Sequence, residues 1–297
     1  MTRMPAPRSV VPHLDDVGVS AGSVEAWSAL RAAGVVRTAS VMVPCPWYPA
    51  AVADYRAAPD QDLGVHLTLT SEWSAYRWRP LIGQASAERG GLLDDEGFFH
   101  RRPEAVAARA DPQAVEDEMA AQIERALADG IAPTHLDAHM GTAFLAPFVA
   151  RLWAVSQRYR IPVVLCRDVS ALFGAVRLPD ADAGPLREIV EEAERAGAPV
   201  LDRFLIGFTP ADAPPAPFFG ALLDAAGDGT HFLALHANAP GDLAAVAPHM
   251  VWPREAEYHL FRAPESATLF AERSVAVLGW RAVGERDGAR RGRDACA

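Results

Sequence analysis

Short runs of aliphatic and β-branched residues alternate with segments of helical spacing along the chain, and this alternation restricts the fold more than any other feature. Residues 9–14, 35–43, 64–70, 133–138, 162–166, 231–238 and 275–279 read as strands. The segments between them carry helix punctuation. Asp111-Pro112 offers an N-cap and a first-turn proline, Val115, Met119, Ile123 and Leu127 follow every four residues, and Gly130 stands where a helix would stop. A second helix carries Phe148, Leu152, Val155 and Tyr159 on one face before Ile161-Pro162 opens the next strand. Strand–helix alternation implies a parallel sheet with helices outside it, as an open doubly wound sheet or as a barrel. Most of the strands place polar residues at alternate positions, which a sheet covered on both faces tolerates poorly. The C-terminal mouth of a barrel accommodates them, so an α/β barrel is the expected fold. The sequence has neither a glycine-rich phosphate loop nor an internal repeat.

The 297 residues are enough for one large domain, read here as 8–285. Residues 71–111 are long, mixed and aromatic, and are expected to form an elaborated loop over one end of the barrel. The arginine-rich segment 286–297 is expected to be a disordered tail. A formal net charge of −10 argues against a nucleic-acid partner, because neutralising phosphates needs a basic face. Three widely separated cysteines, Cys45, Cys166 and Cys296, show no metal or redox spacing and suit a reducing compartment. The apolar run after the N-terminal arginines is too short for a signal peptide, and no stretch approaches the roughly 20 apolar residues of a membrane span. The expected location is the cytoplasm, with a small-molecule substrate and a homodimer left open.

Four stretches carry side chains capable of chemistry. His13-Leu14-Asp15-Asp16 ends the first strand. Adjacent carboxylates repel unless a cation or proton lies between them, and at a strand end the chain can turn both toward one site. The structural alternative is an acidic turn capping the next helix. In Gly64-Val65-His66-Leu67-Thr68-Leu69-Thr70, apolar and polar positions alternate, so an apolar face against the outer helices would point His66 into the barrel. A hydrogen-bonded core histidine is the alternative there. Pro133-Thr134-His135-Leu136-Asp137-Ala138-His139 gives the strongest signal, since His135, Asp137 and His139 share one face if the segment is extended. A buried polar network is the competing reading. His236 and Asn238 alternate with Leu235 and Ala237 near the end of a later strand. Asp, His and His from different strands form a facial ligand set with open positions, suited to Zn²⁺, Mn²⁺, Fe²⁺, Co²⁺ or water-completed Mg²⁺. The additional carboxylate and histidine offer a base and an acid for hydrolysis.

These stretches resemble the signatures of the YdjC/ChbG-like (ChbG/HpnK) carbohydrate deacetylases, relatives of the NodB-type polysaccharide deacetylases. His13 to Ser20 is similar to the family's Asp-Asp opening, Thr38 to Trp47 looks like its second strand, and residues 64–70 and 133–139 match two further signatures, in order, from about Val10 to Gly279. The resemblance implies a deformed, incomplete TIM-like (β/α) barrel. It implies a divalent metal, Zn²⁺ or Mg²⁺ with Mn²⁺ or Co²⁺ as alternatives, held by Asp16, His66 and His139. It implies Asp15 as the general base for a metal-activated water, His236 as the acid for the leaving amine, and an acetylated sugar or glycoconjugate as substrate. The chain departs from many members with His13-Leu14 before the acidic pair, with Gly141 where others have a histidine, and with Ala237-Asn238 after His236. His13, His135 and Asp137 are candidates for substrate binding or for supporting the ligands. Trp73, Tyr76 and Trp78 could stack on a sugar or clamp their own loop. Two rival functions stand beside N-deacetylation: hydrolysis of another amide or ester on the same fold, and metal binding without catalysis.

Overall fold

A computed structural model describes residues 8–178, 181–211 and 213–284; the arginine-rich segment 286–297 lies outside them. The first half contains β1 (Ser9–Val17), α1 (Ala21–Ala33), β2 (Thr38–Val41), α2 (Tyr48–Ala57) and β3 (Asp62–Leu67). There follow α3 (Gln84–Arg89), α4 (Pro103–Arg109), α5 (Pro112–Ala128), β4 (Leu136–Ala138), α6 (Val149–Tyr159), β5 (Leu165–Cys166), α7 (Val169–Ala175) and α8 (Gly184–Ala196). The chain continues with β6 (Val200–Leu201), β7 (Arg203–Ile206), α9 (Pro215–Ala226), β8 (Thr230–Leu235), α10 (Leu243–Val246), α11 (Val251–Arg262), α12 (Ser266–Ala271) and β9 (Ala276–Val277). No described helix is long and apolar enough to cross a membrane.

The main sheet is parallel, in the order β4-β3-β2-β1-β8-β7, and β9 shares an edge of β1 with β2. The gap between β4 and β7 is bridged thinly. Leu136 pairs with Val163, β5 pairs with β6, and the run from Val200 to Ile206 reaches β8 through Asp202 N–H on Thr230 O, 2.8 Å. The parallel sheet therefore curls into an incomplete TIM-like barrel whose far wall is only two residues deep in places, compared with the continuous eight strands of the full (β/α) barrel. All seven strands read from the sequence are present, most of them shorter than expected, whereas β6 and β7 carry no alternating pattern.

Residue parity determines what fills the lumen. Val11, Phe232, Val164 and Leu201 point inward and pack with Trp280 to plug the floor of the barrel, while Val10, Leu14, Leu233 and Leu235 face the outer helices. Above the plug the inward positions become polar: His13, Thr38, Ser40, His66, His135 and Asp137, all buried. Helix α5 begins as its punctuation requires, with the Asp111 carboxylate accepting from the N–H groups of Gln113 and Ala114. Its buried stripe is Val115, Met119, Ile123 and Ala126, with Leu127 exposed. Four-residue steps overshoot a helical turn, so twelve residues accumulate about 120° of rotation and carry Leu127 off the buried face.

Candidate active site

Asp15 and Asp16 reach one site because the strand breaks its own parity. Asp15 follows Val11 and His13 on the inward face. Asp16 would point outward, but its φ of 63° and a register shift between Leu14 and Val17 form a bulge that returns its carboxylate to the mouth. A left-handed non-glycine residue is uncommon, and Asp is among the types that tolerate it. His139 arrives by a comparable departure. The segment 133–139 is not one extended strand, because β4 stops at Ala138 and His139 opens a 3-10 turn through Phe144 with Met140 and Gly141 at φ of 52° and 68°. The one-face expectation for His135, Asp137 and His139 is corrected accordingly. His135 and Asp137 point into the lumen at different depths, and the turn swings His139 over the top. Glycine suits the left-handed backbone at position 141, which also has no room for a side chain, since a Cβ would lie 2.9 Å from Val176.

Three donor atoms converge at the mouth. Asp16 Oδ1 lies 3.3 Å from His66 Nε2 and 3.1 Å from His139 Nδ1, and the two imidazole nitrogens are 3.3 Å apart. The remote nitrogen of each histidine meets a carboxylate: His66 Nδ1 is 2.9 Å from Asp137 Oδ1, and His139 Nε2 is 3.1 Å from Glu72 Oε2. Carboxylates behind imidazoles in this way fix ring orientation and aim the near nitrogens at a cation. Burial disfavours the charged form of both rings, yet Asp137 lifts His66 well above its usual range, and Glu72 and Asp16 lift His139 to about 9. Carboxylates dense enough to do this amount to an excess of negative charge that a divalent ion would neutralise. The donor set, its far-side carboxylates and the local charge all fit a metal held by Asp16, His66 and His139.

Arg254, which the sequence reading missed, is buried on α11, and its Nη2 donates to Asp16 Oδ2 at 2.6 Å. Burial favours a protonated Asp16, but Arg254 and His139 hold it well below the ordinary carboxylate range. One carboxylate oxygen is thereby tied to arginine and the other is left for the histidines. Glu72, Ser40 and Glu257 were missed as well. Ser40 Oγ donates to Asp137 Oδ2 at 2.7 Å, and Glu257 accepts the backbone N–H of His236. The alternation of Thr38 and Ser40 with Ala39 and Val41 did carry a signal for Ser40.

Asp15 stands beside this set. Its Oδ1 is 3.2 Å from His13 Nε2, its Oδ2 is 3.7 Å from His236 Nε2, and burial pushes its carboxyl up to about 7 against the pull of His66 and His13. His13 bridges the carboxylates, with Nε2 also 3.2 Å from Asp137 Oδ2. His236 packs on Phe208, and burial drives its imidazole down to about 3. His135 sits one layer lower, with Nδ1 2.9 Å from Thr134 Oγ1 and its ring against Gly64, where any Cβ would come within 2.4 Å of it. Trp73 and Trp78 are buried and pack on each other and on Tyr76, while the Arg254 guanidinium lies 5.8 Å over Trp73 and His139 lies edge-on to Trp78. The trio thus packs within its own loop and, through Trp73 and Trp78, against Arg254 and His139.

The chain is similar over most of its length to known proteins. The family model described as YdjC-like protein matches residues 10–272. A carbohydrate deacetylase of Thermus thermophilus is 34% identical over 282 residues, spanning 94% of both chains. Carbohydrate deacetylase 1 of Listeria innocua is 31% identical over 175 residues, or 58% of this chain and 66% of that one. Among solved structures, one described as a cellobiose-phosphate cleavage protein of Enterococcus faecalis superposes with a TM-score of 0.73 at 18% identity, covering 93% of this chain and 99% of that chain, a likeness of fold. With a family model spanning nearly its whole length, the chain belongs to the YdjC-like protein family.

Proposed function

We propose that this protein is a metal-dependent carbohydrate deacetylase that hydrolyses the N-acetyl group of an acetamido sugar or glycoconjugate. The observation that carries the reading is the position of Asp15, a carboxylate outside the ligand trio yet buried beside it and facing His236. Asp15 also falls with His66 and Asp137 in a second group that could hold an ion, but its Oδ2 faces His236, the placement that suits a proton acceptor. The full-length likeness to a carbohydrate deacetylase supports the substrate class.

A divalent cation held by Asp16, His66 and His139 would polarise the acyl carbonyl and make a water molecule acidic. The chain supplies the proton handling. Asp15, pushed up to about 7 by burial, is matched to accepting a proton near neutral pH. Asp15 Oδ1 lies 3.2 Å from His13 Nε2, and its Oδ2 is turned toward His236. His236 rests neutral and so can take up at Nε2 the proton that Asp15 has accepted, becoming imidazolium, and then give it to the departing nitrogen as that nitrogen becomes basic. Arg254 keeps Asp16 ionised throughout.

The test is acetate release from a panel of acetylated amino sugars, by protein stripped of metal and then supplied with Zn²⁺, Mg²⁺, Mn²⁺ or Co²⁺. Metal-dependent release is expected. Equal turnover by the stripped protein, or hydrolysis confined to simple esters, overturns the proposal.

A further inference from the structure

The strands that carry the site stop pairing just where the site begins. Strand β1 pairs with β8 as far as Leu14 and Leu235, and β7 pairs with β8 as far as Ile206 and Ala234. Beyond Leu14, β1 enters the bulge that turns Asp16 inward. His236 therefore stands past the ladder on both sides. A strand residue keeps its facing because neighbouring backbones hold it, and a residue beyond the last pair can rotate its side chain away. The backbone N–H of His236 is buried as well, so it needs an acceptor from elsewhere.

Helix α11 supplies what the ladder does not. Glu257, fully buried, accepts the His236 N–H through Oε2, and Arg254 O accepts the N–H of Asn238 at 3.1 Å. Three residues separate Arg254 from Glu257, so the two are neighbours on one face of the helix, where Arg254 Nη2 holds Asp16. One turn of α11 thus grips the ends of two strands that no longer pair. The other buried residues of the helix include Ala256, Tyr258 and Phe261, and a carboxyl among them carries a desolvation penalty that its hydrogen bond must offset. Burial pushes Glu257 up to about 8 against the pull of the His236 N–H and Arg254, so near neutral pH it meets that N–H as an uncharged acceptor. Its other oxygen, Oε1, has no hydrogen-bond partner among the described residues. The bond to His236 is what gives this buried carboxyl a purpose.

We propose that Glu257 is a positioning residue for the reaction, supplying the backbone partner missing at the end of β8 and so keeping His236 Nε2 turned toward Asp15. The approach it protects is the 3.7 Å between Nε2 and Asp15 Oδ2. Proton transfer needs these atoms within hydrogen-bond reach, so a small outward rotation of the ring is enough to prevent it. The inference deepens the deacetylase reading and rests on it for the role of His236.

The experiment compares the metal-loaded protein with Glu257→Met, which fills similar space without an acceptor, and Glu257→Gln, which keeps a neutral carbonyl. The substrates are N-acetylglucosamine, or the acetylated amino sugar of the panel above that is turned over fastest, and 4-nitrophenyl acetate. The amide needs a proton at its leaving nitrogen, and the activated ester does not. Glu257→Met is expected to lower kcat on the amide by about tenfold or more, with KM, metal content and ester hydrolysis little changed, and Gln to restore kcat to within about threefold of the parent. Equal losses on amide and ester, a Gln variant as damaged as Met, or parent kcat in the Met variant overturns the assignment. If Glu257→Met does not fold, Glu257→Gln decides: kcat within about threefold supports the role, and a loss of about tenfold overturns it. If no acetylated sugar of the panel is hydrolysed, the deacetylase reading fails, and the imidazole NMR signals of His236 still decide this proposal. Signals displaced by Met and parent-like with Gln support it, whereas signals unmoved by Met, or moved equally by both, overturn it.

Discussion

His66 and His139 at the mouth of the barrel differ from His13 and His135 one layer below, although all four are buried and point into the same lumen. Each upper histidine has a carboxylate at its far nitrogen and turns the near nitrogen to Asp16. The lower pair is placed differently. His13 lies among Asp15, Asp137, Ser40 and Thr38, while His135 rests on Gly64 and Trp280 and is driven down to about 3 by burial. His135 and His139 are only four residues apart, so spacing alone does not separate a ligand from a packing residue. A carboxylate at the far nitrogen is what sets the proposed ligands apart.

The largest expected effects fall on the upper layer. His66→Ala and His139→Ala should each lose most bound metal and nearly all turnover, because each removes one of the three donors proposed to hold the ion. His135→Ala should keep its metal and lose stability by about 1–3 kcal/mol, the scale of a buried side chain deleted from a packed layer. Metal analysis and thermal unfolding of the three variants measure the contrast. Full occupancy in the upper variants, or metal loss in the lower one, would erase the distinction between the layers.

Asp15→Asn should come next, with kcat reduced about a hundredfold or more at unchanged metal content, since an amide fills the same space but is a poor base. Loss of metal with an unaltered rate per bound ion would make Asp15 a ligand. Arg254→Gln should weaken metal binding by about tenfold, at the low end of what contacts behind a metal ligand contribute. Competition with a chelator reads this directly, and an unchanged affinity would reduce the Arg254–Asp16 contact to packing of α11.

Much of this site was legible because strands expose their inward face every second residue. Asp15, His66, Asp137 and His236 follow that rule. Asp16 and His139 depart from it by a bulge and a turn; the acidic pair and the alternation in 133–139 singled them out, and the resemblance in sequence assigned them the ligand role. Arg254 and Glu257 were illegible for another reason. On a helix with exposed polar neighbours such residues read as a solvated face, and only the docking of α11 over the mouth buries them against Asp16 and His236. The strands β6 and β7 escaped notice because Asp202 and Arg203 interrupt the apolar run, and the barrel needs only a few backbone bonds there.

The smallest effect on turnover belongs to a carboxyl that shares the burial of Asp16 and Asp137 but has no cationic or imidazole partner. Glu118 on α5 is fully buried and accepts N–H bonds from Leu81, Ile82 and Gln122, tying the long loop to the helix. Arg254 and His139 pull Asp16 down and His66 pulls Asp137 down, whereas burial pushes Glu118 up to about 7 against these neutral donors. A carboxyl raised on folding binds its proton more tightly in the folded state. Its contribution to stability is therefore complete below the unfolded value near 4.5 and is lost as pH rises toward 7, by about 3 kcal/mol in all. Glu118→Gln cannot ionise, so its stability should fall less steeply than that of the parent protein between pH 5 and 7, with kcat and metal content unchanged. Urea unfolding at several pH values measures the difference in slope. Parallel curves would show that Glu118 titrates as an ordinary carboxylate, and that burial without an imidazole or guanidinium neighbour does not set these groups apart.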